Sequence, residues 1–316
     1  MRIKRLAVGG PEVTTVCVGG SPLGSMPATY GYEVGEDAAL ATVRRTLDSP
    51  LRFLDTSNGY SDGESERRIG TVLREVGGPP PGFIISTKAD PAPGATDFSG
   101  ARIRESFHES ADRLGLERFD VFYLHDPERF EFEYITAPGG ALDTVVALRD
   151  EGLVTTIGVA GGLISAMRDY VDTGVFDIVL NHNQYTLLDQ SANDLIDHVL
   201  DAGATFVNAA PYASGMLAKP VDARPTYQYR RPSDEILART EQLRVLCTRF
   251  EVPLAAVALQ FSTRDSRIAS TVVGVSAPER VDELVLNEEF DIPNALWEEI
   301  WDVIGYRPSR FEAHES

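Results

Sequence analysis

Four side chains in the first half of the chain have the types and spacing of a proton-transfer site: Asp55, Tyr60, Lys88 and His125. Each follows a short apolar run. Asp55 and Tyr60 come after Leu51-Arg52-Phe53-Leu54, Lys88 after Ile84-Ile85-Ser86-Thr87, and His125 after Val121-Phe122-Tyr123-Leu124. A phenol ionises at a pH of about 10, too high to exchange protons well near neutrality. A neighbouring ammonium favours the phenolate, and a carboxylate beside the ammonium keeps it charged and oriented. In that arrangement Asp55 holds Lys88, Lys88 tunes Tyr60, and His125 donates to or orients a carbonyl oxygen. The chemistry is proton transfer to a carbonyl as a hydride arrives, or the reverse. Taken singly, Asp55 is a turn cap, Lys88 a solvated strand end and His125 a satisfied core histidine. Their shared placement is what argues for a site.

Such a site needs strands whose ends converge. The chain supplies eight β-branched or apolar runs, at residues 14–18, 51–54, 83–86, 119–124, 154–159, 176–180, 205–208 and 270–275. Eight is the number that closes a parallel barrel. Between them, residues 37–47, 65–76, 99–116, 141–150, 191–201 and 237–250 carry apolar side chains at helical spacing. Gly115, Gly152 and Gly203 stand where helices should stop before the next strand. The pattern predicts an α/β fold, a (β/α)8 TIM barrel, as one domain over residues 1–316 with a frayed tail at 308–316. Loops 24–32, 126–136 and 219–233 are predicted to wall the pocket with Met26, Tyr30, Tyr32, Phe130, Phe132, Tyr134, Tyr227 and Tyr229. Aromatic walls suit the flat apolar faces of sugars or rings, among other carbonyl compounds.

Composition bounds the partners. Of 316 residues, 43% are hydrophobic and 24% charged, as in an ordinary globular protein. A formal charge of −19 disfavours nucleic acid and anionic membranes. It does not forbid an anionic cofactor, because amides and one or two arginines can hold phosphate locally. Cys17 and Cys247 lie in apolar contexts and read as buried thiols of a reducing compartment. No metal-ligand spacing is present, the basic residues near the N-terminus precede no signal-like apolar region, and no apolar run approaches the roughly 20 residues of a membrane span. The cytoplasm is the expected location, and a small-molecule carbonyl or sugar-like compound the expected partner. Oligomeric state is not encoded in these features.

The phrase Asp55-Thr56-Ser57-Asn58-Gly59-Tyr60, followed by Gly63-Glu64-Ser65-Glu66 and Ile69-Gly70, resembles the aldo-keto reductases. The likeness continues through Ser86-Thr87-Lys88, Ser110-x-x-Arg113-Leu114-Gly115 and Phe119-Asp120-Val121-Phe122-Tyr123-Leu124-His125, in order along nearly the whole chain. The resemblance implies a (β/α)8 barrel that binds a nicotinamide dinucleotide in extended form, with Tyr60 as general acid/base and Asp55, Lys88 and His125 completing a tetrad. In the second half, His125-Asp126-Pro127, Tyr185-Thr186-Leu187-Leu188-Asp189-Gln190 and Pro211-Tyr212-x-Ser214-Gly215-x-Leu217 are similar to the aldose and sugar dehydrogenase branch, which oxidises a cyclic hemiacetal to a lactone.

The resemblance also implies a cofactor site. Gly20 and Asp55 would lie beside the dinucleotide, and Ala160 with either Asn181 or His182 would meet its carboxamide. Where the family often has Ser-Asn, Ala160-Gly161-Gly162 stands here, so that first contact is missing or made by backbone. Tyr212 would stack on the nicotinamide, and Ser214, Gly215 and Leu217 would line the pyrophosphate. Gly274, Ser276 and Arg280 form a strand end, turn and helix start suited to phosphate. With Ser276 where NADP-preferring members often carry a basic residue, the implied cofactor is NAD or either of NAD and NADP. The implied function is an NAD(P)-dependent oxidoreductase interconverting a carbonyl with an alcohol or cyclic hemiacetal. The alternatives are a dinucleotide-binding regulatory barrel with little turnover and a barrel hydrolase or lyase built on Asp and His.

Overall fold

The structure, a computed structural model, describes residues 1–219, 226–228 and 230–312. Eight parallel strands close into a barrel in chain order: β3 (Val16–Gly19), β4 (Phe53–Asp55), β5 (Ile84–Ala89), β6 (Phe119–His125), β7 (Val154–Gly161), β8 (Ile178–His182), β9 (Thr205–Ala209) and β10 (Ile268–Gly274). β10 pairs back onto β3, with Gly274 opposite Gly19. Every run read from the sequence contains residues of one barrel strand, and the run at 14–18 also reaches the last residue of a preceding strand, Thr14. Several strands extend further at their C-terminal ends than their apolar runs, so Asp55, Lys88 and His125 are strand residues rather than first loop residues.

That shift matters because strand side chains alternate between faces. Phe53, Ile84, Tyr123, Ala160, Ile178 and Leu180 fill the barrel interior, while Leu54, Ile85, Leu124, Val159 and Val179 join the outer core beneath the helices. Counting on by twos, Asp55, Ser86, Lys88, His125 and His182 fall on the inward parity. Asn181 falls on the outward one. The polar residues thus form the top layer of an otherwise apolar interior.

The crossovers are α1 (Glu36–Leu47), α2 (Glu64–Val76), α3 (Gly100–Leu114), α4 (Ala141–Asp150), α5 (Ile164–Asp172), α6 (Asn193–Asp201) and the pair α7 (Asp234–Arg249) and α8 (Leu254–Thr263); α9 (Pro278–Glu289) and α10 (Asn294–Ile304) follow β10. Their start and stop chemistry is local. Ser99 accepts the Arg102 N–H at the head of α3, and Gly115 ends it in the left-handed region. α2 and α3 cross so closely that a Cβ on Gly70 would lie 1.9 Å from the Arg113 carbonyl oxygen. No single helix among the described residues is long and apolar enough to cross a membrane, and α7 and α8 are bent by 104° from one another.

Two features depart from the sequence reading. An antiparallel hairpin, β1 (Ile3–Arg5) and β2 (Glu12–Thr14), precedes the barrel. Its Leu6 and Val13 are fully buried in the interior cluster, so it stoppers the N-terminal end. The tail expected to fray is packed as far as it is described: the Phe311 ring centroid lies 4.7 Å from Trp297 and 4.9 Å from Trp301, and the Glu312 N–H donates to the Arg264 carbonyl at 2.9 Å. Aromatic burial outweighs the polarity of the surrounding tail residues.

Candidate active site

At the C-terminal mouth, Lys88 Nζ donates to Asp55 Oδ2 at 2.6 Å, to the Thr56 carbonyl at 2.7 Å and to the Tyr60 hydroxyl at 3.2 Å. Ser86 Oγ donates to the other Asp55 oxygen at 2.7 Å. Lys88 and Asp55 are almost completely buried, with side-chain exposures of 1% and 4%. A charge pair in so dry a place persists only because each partner is fully engaged. Tyr60 sits above it, half-buried, with the His125 ring edge-on at 5.6 Å between centroids. The four residues singled out from the sequence therefore meet at one point.

The Tyr60 hydroxyl does not behave as the sequence reading expects. Burial is the largest influence and raises its pKa well above the ordinary phenol value, and the charges of Asp55, Tyr30, Asp90 and Asp126 add to the rise. The Lys88 ammonium at 3.2 Å does not reverse this. In this state the environment favours the protonated phenol.

Asp90 is the site residue that sequence reasoning missed. Its Oδ1 lies 2.7 Å from His125 Nδ1. Its Oδ2 accepts the Gly59 N–H at 2.8 Å and the Ser57 hydroxyl. The signal was present: Asp90 follows Lys88 by two residues and so shares its inward parity. Burial opposes the charge on both partners, yet the pair prevails: the carboxylates of Asp90 and Asp126 raise the His125 pKa, and the His125 charge with the donors around Asp90 lowers that of Asp90. Asp126 stands at φ 45°, its N–H on the Ala160 carbonyl at 2.7 Å and its Oδ1 3.8 Å from His125 Nε2.

The candidate cofactor residues are distributed around the same mouth. Gly20 donates its N–H to the Asp55 carbonyl at 2.7 Å, which ties β3 to β4. Ala160 points inward. Asn181 is fully buried on the outward parity with its Nδ2 on the Gly161 carbonyl at 3.0 Å, whereas His182 shares the inward parity and feels the charges of Asp126, His125 and Lys88. The half-buried Tyr212 accepts at its hydroxyl from Asn287 of α9 at 3.4 Å. Ser214 is exposed, at φ 58°, with Oγ accepting the Gln228 N–H at 3.2 Å; Gly215 follows at φ 90°. Leu217 has its side chain in the core, at 1% exposure, and its N–H goes to the Tyr212 carbonyl. Beyond Gly274, α9 opens at Pro278 with no side chain capping its amides, flanked by half-buried Ser276 and by Arg280, whose guanidinium pairs with Glu283. Hydroxyls, a helix N-terminus and a guanidinium are the kinds of donor that a pyrophosphate and its ribose phosphates require.

Of the aromatic walls, Phe132 packs back against Tyr170 at 5.2 Å and Phe130 stacks on Phe98 at 4.8 Å. Tyr30 and Tyr32 stand 5.9 Å apart, with Lys219 Nζ 5.3 Å from the Tyr32 ring. Tyr229 lies outside the described residues.

The profile of the Aldo/keto reductase family matches residues 15–304. This chain belongs to that family. It is an NAD(P)-dependent oxidoreductase. It is 30% identical over 293 residues to D-threo-aldose 1-dehydrogenase of a Pseudomonas species, covering 84% of this chain and 88% of the relative. It is 30% identical over 325 residues to pyridoxal 4-dehydrogenase of Microbacterium luteolum (91% and 93% covered) and over 288 residues to L-galactose dehydrogenase of Arabidopsis thaliana (90% and 87%). The solved structure of the aldo-keto reductase AKR11C1 from Bacillus halodurans has the same fold, with a TM-score of 0.79 over the full length of both chains at 20% identity. The barrel and oxidoreductase class expected from the sequence are thereby established for this aldo/keto reductase.

Proposed function

We propose that this aldo/keto reductase interconverts an aldose-type substrate, as a cyclic hemiacetal or its open aldehyde, with the lactone or alcohol, and that Tyr60 moves the proton. The observation that carries the reading is the chain of contacts from Asp55 through Lys88 to the Tyr60 hydroxyl, 2.6 and 3.2 Å long, ending beside His125. A bound nicotinamide dinucleotide supplies or accepts the hydride. The protein's own groups do the rest. In reduction, Tyr60 gives its proton to the oxygen that gains charge, while Lys88 stabilises the phenolate left behind. In oxidation the phenolate takes the proton from the hydroxyl. His125 presents Nε2 to the same oxygen and fixes its position.

Three relatives near 30% identity are named for aldose, L-galactose and pyridoxal oxidation, which supports a polyhydroxylated or ring aldehyde substrate here. Arg280 is already paired with Glu283 and Ser276 carries no charge, which favours NAD or use of both dinucleotides. Cys17 and Cys247 are free and buried, which suits the cytoplasm.

The test is a panel of aldoses, including L-galactose, and pyridoxal, each assayed with NAD and with NADP for appearance of reduced dinucleotide. Turnover of at least one aldose is expected. Turnover of pyridoxal alone would move the substrate class, and binding of dinucleotide without turnover of any compound would favour a regulatory barrel.

A further inference from the structure

The Asp90 carboxylate joins two parts of the active site. One oxygen meets His125 Nδ1 at 2.7 Å on β6, and the other accepts from Gly59 and Ser57, in the segment that carries Tyr60. Asp90 is 8% exposed, so water screens this junction little. Ser57 Oγ also lies 3.0 Å from His125 Nδ1, which closes a triangle of Ser57, Asp90 and His125.

We propose that Asp90 is a positioning residue for the reaction: its carboxylate turns the His125 ring so that Nε2 faces the reacting oxygen, and sets Tyr60 beside it. The inference rests on the reading of Tyr60 and His125 as the groups that meet the substrate. A histidine that gives Nδ1–H to a carboxylate has one tautomer and one orientation left for the other nitrogen. The same carboxylate favours the imidazolium.

The charged and titratable groups facing His125 are Lys88 from β5 and Asp90 just beyond it, Asp126 from its own strand's loop, Tyr60 from the β4 loop and His182 from β8. Burial and Lys88 oppose protonation, and Asp90 with Asp126 outweigh them. A charged Nε2–H is a stronger donor to a developing oxyanion than a neutral one. The consequence is a site whose reductive direction depends on His125 charge and weakens as pH rises past its raised pKa.

The experiment is Asp90→Asn, which keeps the shape and removes the charge. Selectively 15N-labelled histidine in the full-length protein reports the His125 titration by NMR without any substrate. In parallel, the pH profile of kcat/KM is recorded for reduction of DL-glyceraldehyde. The His125 midpoint is expected above the ordinary value of about 6.5 in the native protein and lower by about one to three pH units in the variant. The descending limb of kcat/KM should move with it. An unchanged midpoint, or a uniform loss of rate with an unmoved limb, would overturn the proposal. If Asp90→Asn does not fold, the native spectrum still decides, because a neutral His125 with an unprotonated Nδ1 at pH 6 is incompatible with it. A native protein inert toward every carbonyl would count against the proposed function, while the NMR arm would still judge Asp90.

Discussion

Gly59 and Asp90 touch where no side chain could stand between them: a Cβ on Gly59 would lie 2.8 Å from Asp90 Cγ, and the Gly59 N–H donates to Asp90 Oδ2 at 2.8 Å. The glycine lies between the strand that holds Asp55 and the residue Tyr60. Gly59→Ala should therefore push the Asp90 carboxylate away from His125 while leaving the barrel intact. Misplacement on this scale is expected to lower kcat by roughly tenfold to a hundredfold. Steady-state kinetics, with an unchanged far-ultraviolet circular dichroism spectrum, would check it; native-like kcat would show that the contact is dispensable.

Tyr60→Phe removes one oxygen and keeps the ring against His125 and over Lys88, whose Nζ is 4.8 Å from its centroid. Dinucleotide affinity should be nearly unchanged and turnover should fall by about a hundredfold or more, the scale of losing a general acid or base. Fluorescence titration with NADH and NADPH separates the two effects. Comparable turnover in the variant would remove Tyr60 from the proton path.

Lys88→Met leaves Asp55 buried without its cation. Breaking such a pair costs about 3–5 kcal/mol, because the remaining charge is uncompensated. Adding Asp55→Asn should recover part of that stability without recovering activity. Urea unfolding of the two single variants and the double variant would show this as non-additivity. Additive losses would mean that the two charges do not depend on each other.

Acid should loosen the loop below Tyr60 through Glu109. Its carboxylate receives Arg102 at 2.7 and 3.0 Å and the Asn58 side chain at 2.9 Å. These donors, Arg102 first, hold its pKa at about 2 against a usual 4.5. A folded pKa below the unfolded one contributes stability above pH 4.5 that is lost as pH falls toward about 2. Glu109→Gln should therefore flatten the fall in urea midpoint across that window. Glu64, similarly held at about 2 by Arg67 and Arg68, supplies part of the remaining slope.

The fold was legible because its strands are short β-branched runs separated by amphipathic helices with glycine stops. The tetrad was legible because an ionisable side chain is costly at the end of a buried apolar run, and three neighbouring runs each end in one. Other parts left weaker traces. α8 is buried along its whole length, so it shows no polar face and no helical period. The β1–β2 hairpin has strands of three residues, too short for an alternation to register. Asp90 precedes Pro91 and reads as loop chemistry until β5 is seen to run on to Ala89. The opposite faces of Asn181 and His182 needed the register of β8, since a slip of one residue exchanges inside for outside.

The stopper made by Leu6 and Val13 has a kinetic meaning. The hairpin closes the N-terminal end over an interior already filled by side chains, so a site built on Asp55, Lys88 and His125 is reached from the C-terminal end. On the proposed reading, in which dinucleotide and substrate both bind at that end, they share one entrance, and whichever lies deeper has to arrive first and depart last. The order of events in each turnover is then a matter of queueing, set by a barrel packed solid beneath the chemistry.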